Sequence, residues 1–344
     1  MRKLSISILL FSIVILFASL VVDDKLVFII DNTTPVWEVL EYLGEPLPNH
    51  KVDESVKGAS AEKGRDLVLK GKTKKPKGGK TKKLSKHFVC TSCHNIHKED
   101  PDLSVSDPQA RLEYVNKNKL PYLQGTTLFG AVNRTSFYND DYEKKYGELI
   151  IPTRNNLRKA IQLCAVECSQ GRKMKDWEVE SVLMYLWTLE LKMEDLNLAI
   201  NDYNKVQSAI SGYNGERDEE TIDFIQSFYL KGSPAHFVTP TENRKTGSGL
   251  KGNPENGKWI YDLSCKHCHK GQRYSYLHLD DSKLTFKYLK NHIPKYSHSS
   301  IYQVARHGTS PKPGKRAYMP QYTAEKMNDQ QLEDLRAYIE MMAE

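Results

Sequence analysis

Three hydrophobic patterns run along this chain. The first is a largely apolar, uncharged stretch from Leu4 to Val22, preceded by Arg2 and Lys3 and followed by Asp23 and Asp24. Basic residues before such a run and acids after it leave its start in the cytoplasm and carry the rest outward. The run is close to the minimum spanning length, and Phe17-Ala18-Ser19-Leu20 is a poor cleavage site. It therefore reads as a membrane anchor or, if removed, as a signal peptide. The second and third patterns are helical. Val179, Val182, Leu183 and Leu186 recur on one face after Asp176 as N-cap, and Leu332, Leu335, Ile339 and Met342 do so after Asn328-Asp329. No segment sustains period-two alternation, so an all-α fold is predicted.

A short repeat divides the chain in two. Glu62-Lys63-Gly64-Arg65-Asp66-Leu67 parallels Glu255-Asn256-Gly257-Lys258-Trp259-Ile260. Each copy precedes a C-x-x-C-H motif and, further on, one of the two closing helices. From glycine to first motif cysteine is 26 positions in copy one and 8 in copy two, and the Lys-rich run 70–86 accounts for nearly all the difference. The predicted organisation is an N-terminal segment 1–22, a membrane-proximal arm 23–57 and a first domain 58–195 with the 70–86 insertion. A connecting helix (Leu191 to Arg217) and linker then fill 196–253, before a second domain 254–344.

Composition changes the picture at two points. The 344 residues carry a modest net charge of +7, with lysine concentrated in 70–86, a stretch poor in apolar residues and read as a solvated loop. That run could steer anions or dock an acidic partner; no nucleic-acid partner is expected. In an exported protein, six cysteines would ordinarily suggest disulfides. Four of them, however, stand in Cys90-Thr91-Ser92-Cys93-His94 and Cys265-Lys266-His267-Cys268-His269, the signature of covalent haem attachment. Two covalently bound haem c groups are expected, tethered at Cys90, Cys93, Cys265 and Cys268, with His94 and His269 as axial metal ligands.

The sixth ligand then decides the chemistry. For the second haem it is read as Met319, in the stiff Tyr318-Met319-Pro320 loop; His292, His298 and His307 are weaker candidates. Gln303, Arg306-His307-Gly308, Met319-Pro320 and the closing helix resemble class I cytochrome c domains over most of 254–343. The first domain has no Met-Pro. Leu157, Ile161, Cys164 and Cys168 share one helical face, and Met174 takes the place in domain one that Met319 takes in domain two. The two thiols could equally be small core residues.

The run Leu157 to Arg172, with Trp177-Glu178-Val179-Glu180 and Tyr185-Leu186-Trp187, resembles dihaem thiosulfate dehydrogenases and the cytochrome subunit of the Sox complex. The resemblance covers 153–190 and implies two class I cytochrome c-like domains in tandem. It implies that Cys164 ligates the first iron as thiolate and is catalytic, joining thiosulfate into tetrathionate or running the reverse. Arg134, Arg154 and Arg172 are candidate hosts for the dianion, Arg172 being nearest Cys164 in sequence. The spacing of 70 between His94 and Cys164 requires an insertion. The alternative is a non-catalytic, membrane-tethered electron shuttle; a peroxidase has no supporting residue pattern. The expected partner is a redox protein, another cytochrome or a terminal oxidase, met on the periplasmic side of the inner membrane, or in the periplasm if the N-terminal segment is cut.

Overall fold

A computed structural model of the chain describes residues 28–309 and 318–344. The expected anchor at 1–22 lies outside the described residues. Among the described residues no helix is long and apolar enough to cross a membrane. The helices, in order, are α1 (Val36–Tyr42), α2 (Ala61–Lys70), α3 (Pro108–Lys117), α4 (Asp140–Tyr146), α5 (Leu157–Leu163), α6 (Asp176–Trp187) and α7 (Ile200–Ser211). They continue as α8 (Glu219–Gln226), α9 (Pro254–Ile260), α10 (Lys266–His269), α11 (Lys283–His292), α12 (Ile301–His307) and α13 (Asp329–Ala343). Among the described residues the extended pairings are isolated bridges, so the all-α expectation holds.

The repeated glycine has a physical reason. At Gly64, α2 crosses the closing helix α6 so closely that a Cβ would lie 1.8 Å from the Ser181 carbonyl oxygen. At Gly257, α9 crosses α13 in the same way, with a Cβ placed 2.0 Å from the Asp334 carbonyl oxygen. Only glycine lets the two backbones approach this far. Both crossings are prepared by N-caps: Ser60 accepts from the Lys63 amide, and Asn253 from the Glu255 amide. Helix α6 begins one residue earlier than expected, with Lys175 at the cap and the Glu178 carboxylate accepting its amide at 2.9 Å.

Around each crossing lies a core. Leu67, Val68, Val182, Leu183 and Leu186 form the first, and Ile260, Phe286, Leu332, Leu335 and Ile339 the second. Two segments expected to stand apart join the first core. The described part of the arm buries Val36, Val39 and Leu40 of α1 with the following Leu43, and the connecting region buries Val206 and Ile210 of α7 with Ile222 and Ile225 of α8. Their apolar faces need a partner, and the first core provides it. The connecting helix is correspondingly shorter than Leu191–Arg217, since Asn197 takes a left-handed conformation that breaks it.

The insertion between the first motif and α5 crosses to the other half. Leu112 and Val115 of α3 and the following Tyr122 are buried in the second core. Between the halves lies a buried ionic cluster. The fully buried Glu99 carboxylate accepts from Lys326 Nζ at 2.9 Å, Arg111 Nη2 at 3.3 Å and Asn95 Nδ2 at 2.7 Å.

Candidate cofactor sites

Each C-x-x-C-H motif opens onto a cavity. At the second, α9 widens into a π-helical turn (Tyr261–Cys265) that runs into α10 and brings Cys265, Cys268 and His269 to one cavity of about 740 Å³. That volume is ordinary for a cofactor site. Met319 lines the same cavity, as do Leu289, Ile301, Val304 and Leu335. The His269 Nδ1–H donates to the Leu277 carbonyl at 3.0 Å, which leaves Nε2 with its lone pair free for a metal. Burial pushes the His269 imidazole down, towards the neutral form a ligand needs. Met319 is fixed by its loop: its amide donates to Thr309 Oγ1 at 2.8 Å and its carbonyl accepts from the Thr309 amide at 2.9 Å. Gly308, with φ +63°, makes room, because a Cβ there would lie 2.3 Å from the Met319 carbonyl oxygen. Of the weaker candidates, His298 lines the cavity, whereas His292 bonds its own helix at Tyr288.

The first motif is held by a short 3₁₀ turn (Cys90–Ser92), and Cys90, Cys93 and His94 line a tighter cavity of about 250 Å³. The His94 Nδ1–H donates to the Thr126 carbonyl at 2.7 Å, again freeing Nε2. Gly125 presses on the ring, where a Cβ would lie 2.6 Å from His94 Nδ1. Burial pushes this imidazole down as well.

Leu157, Ile161, Cys164, Cys168 and Met174 all line this cavity. The helix that Leu157, Ile161, Cys164 and Cys168 were expected to share is not regular: α5 gives way to a π-helical turn at Cys164–Cys168, a departure frequent at functional sites. Both thiols thus reach the same cavity. The Tyr146 hydroxyl lies 3.4 Å from Cys168 Sγ. A hydrogen bond from Cys164, opposed by burial and aided by Tyr146, Lys145 and Tyr138, holds the Cys168 thiol below its ordinary range. The same hydrogen bond, and then burial, push Cys164 up. Met174 is buried, its backbone tied at both ends to the Gln162 side chain (2.8 and 2.9 Å).

The arginine expectation needs correction. Arg172 does not line the cavity; its guanidinium pairs with Glu178 at 2.5 and 2.7 Å and donates to the Lys82 carbonyl. A buried carboxylate within reach binds a guanidinium more tightly than a passing anion can. Arg154 is likewise taken up by Asp140 and Glu143. Arg134 does line the cavity, donating to the Thr127 and Phe129 carbonyls, and Lys145 is the second cation on the wall.

Sequence reasoning missed Tyr138, Tyr142 and Tyr146, whose rings pack in series (centroids 5.0 and 6.3 Å apart) along the same wall. Their spacing of four is a signal that could have found them. It also missed the partition. Phe88, Cys93, Gln124, Tyr318 and Pro320 line both cavities, and the Phe88 and Tyr318 rings meet edge to face at 5.9 Å.

The residues fit covalent haem. Each cavity has a thiol pair and a histidine with free Nε2, and each has a sulfur side chain elsewhere on its wall. Gln124 Oε1 and Ser297 Oγ are buried there without a protein partner, polar atoms that a bound group would be expected to satisfy.

Residues 252–339 match the family described as "Cytochrome C oxidase, cbb3-type, subunit III". The match contains the second motif and most of the lining of its cavity, so this part of the chain is a cytochrome c domain, which implies covalent haem c there and a part in electron transfer. No curated protein matches it, and no solved structure does.

Proposed function

We propose that the chain is an exported dihaem cytochrome that performs sulfur-oxyanion redox chemistry in its first cavity and passes electrons out through its second. The observation that carries this reading is the common wall: two cavities, each with a motif histidine and a sulfur ligand candidate, share Phe88, Cys93, Gln124, Tyr318 and Pro320. Bound haem c supplies a one-electron acceptor at each motif, and the pair matches a two-electron oxidation. Cys90, Cys93 and His94 would hold the first haem; Cys265, Cys268, His269 and Met319 the second.

The chain's own part is to bring thiolate and substrate together in a water-poor pocket. In the reading the resemblance implies, the sulfur of Cys164 bonds the outer sulfur of one thiosulfate, giving a Cys–S–S–SO₃⁻ adduct and releasing two electrons. A second thiosulfate attacks that adduct, a sulfur–sulfur bond forms, and tetrathionate leaves with the thiolate restored. Arg134 and Lys145 supply the positive charge a dianion requires. A second assignment, to Cys168, is favoured by the Tyr146 contact, which stabilises a thiolate there. The apolar run Leu4–Val22 supports a site on the periplasmic side, tethered at the inner membrane.

The test is turnover by purified holoprotein: tetrathionate formed from thiosulfate with an artificial electron acceptor, and the reverse with a reductant. Cys164→Ala and Cys168→Ala, made separately, identify the working thiol as the one whose loss stops turnover while the second haem's spectrum stays intact. Turnover in neither direction would reject the catalytic reading in favour of a shuttle.

A further inference from the structure

The lysine-rich insertion was expected to be a loose solvated loop, yet it is a built hairpin. Lys74 and Lys80 pair across it, the Lys75 amide donates to the Gly79 carbonyl at 2.9 Å, and the Thr81 amide donates to Thr73 at 2.8 Å. Gly78 and Gly79 turn the tip with φ of 93° and 73°. Thr73 Oγ1 donates to Asp66 at 3.4 Å, and Pro76 packs against Gly58 so closely that a Cβ there would lie 2.5 Å away.

Its charge is uncompensated. Lysines 70, 72, 74, 75, 77, 80, 82, 83 and 86 are all exposed, and no acid occurs between Asp66 and Glu99. Among the described residues, Lys70 with Asp66 is the one ion pair these nine lysines form. Like charges held together on an ordered hairpin cost self-repulsion, which a polyanionic partner would relieve.

The hairpin is also fastened to the first cavity. Its return arm ends at Leu84, whose amide donates to Gly71 at 2.8 Å and whose carbonyl accepts the Arg172 amide at 2.8 Å, just past the Cys164–Cys168 turn. Leu84 and Phe88 line the cavity, and Phe88 stands on the common wall. Anything seated on the lysines therefore sits beside the first motif and near the partition between the two sites.

We propose that this hairpin is a docking surface for an acidic protein, which it seats beside the first motif to exchange electrons with this chain. A protein face is favoured over a bilayer by composition. The exposed residues of 70–86 are lysine, proline and glycine, with no aromatic or aliphatic side chain to enter the headgroup layer. The inference does not depend on the sulfur chemistry, since the hairpin would bind equally in a pure shuttle.

The experiment uses full-length holoprotein and a fluorescent poly-L-glutamate as the acidic probe, with binding read by anisotropy. A variant with Lys74, Lys75, Lys77 and Lys80 changed to Gln is compared with one in which Lys270, Lys283, Lys287 and Lys290 are changed. At about 0.01 M salt the hairpin variant should bind about tenfold more weakly than wild type, and the difference should collapse at about 0.15 M. The control variant should bind as wild type does. Equal losses in both variants would show a response to net charge alone and overturn the proposal. So would tight binding to phosphatidylglycerol vesicles through these lysines without binding to poly-glutamate, which would make the surface a membrane contact.

Discussion

Replacing Glu99 by Gln removes one buried negative charge and leaves its shape in place. The carboxylate is fully buried and accepts from Lys326, Arg111, Asn95 and the Thr127 amide. Burial alone would raise its pKa, but Arg111 and Lys326 beside it, with the Asn95 hydrogen bond, hold it far below the usual carboxylate range. In E99Q two buried cations lose the one carboxylate that both of them bond. Breaking a buried pair this way costs about 3–5 kcal/mol, and because Gln keeps an acceptor oxygen the lower figure applies, about 3 kcal/mol. The loss should be global, because Arg111 and Lys326 lie 215 positions apart in the chain and this cluster joins the two halves.

The pH dependence follows from the sign of the shift. A carboxylate depressed on folding contributes its full stabilisation above its unfolded pKa of about 4.3. That contribution is lost as pH falls from there towards the folded value. Denaturant unfolding of wild-type and E99Q holoprotein should therefore differ by about 3 kcal/mol at neutral pH. The gap should narrow steadily below about pH 4. A difference under about 1 kcal/mol at neutral pH, or one that does not change on acidification, would refute the assignment of the cluster as the ionic joint.

Three further outcomes are expected. Gly257→Ala pushes a Cβ to 2.0 Å from the Asp334 carbonyl oxygen, so α9 and α13 must part; a loss of about 3 kcal/mol or more should show in thermal unfolding, and a loss within about 0.5 kcal/mol would mean the crossing is not tight. Met319→Ala should lower the potential of the second haem and remove its methionine-ligand spectral signature, while an unchanged spectrum would exclude Met319 as ligand. If Cys168 is the working thiol at the first motif, Tyr146→Phe, which removes the hydroxyl 3.4 Å from it, should shift the first site's thiolate signature without altering the second; an unmoved signature would separate Tyr146 from that thiol.

How far the sequence could carry this reading depended on whether the signal was local. The E-x-G repeat was legible because a helix crossing at Gly64 or Gly257 demands glycine at one fixed offset from each motif. The place of Met319 on the second cavity was legible because a proline-stiffened loop precedes the closing helix. The destination of α1, α7 and α8 was not, because an amphipathic face announces that it will be buried but not against which core. Arg172 misled for a related reason: nearness to Cys164 in sequence says nothing of Glu178, in the first turn of α6, which claims its guanidinium. The π-helical turn that brings both Cys164 and Cys168 to the cavity leaves no mark in apolar spacing, since α and π turns share the same periodic residues over so short a stretch. The common wall is assembled from Phe88, Gln124 and Tyr318, residues far apart in the chain whose meeting only the fold decides.

The proposed function requires two covalent haems side by side, and their number can be weighed. The mass of the denatured mature protein should exceed that of its polypeptide by two covalent haems. Cys90→Ala/Cys93→Ala and Cys265→Ala/Cys268→Ala should each carry one, with the Met319-ligated spectrum surviving only in the first. A single haem in wild type, retained when Cys90 and Cys93 are removed, would contradict it.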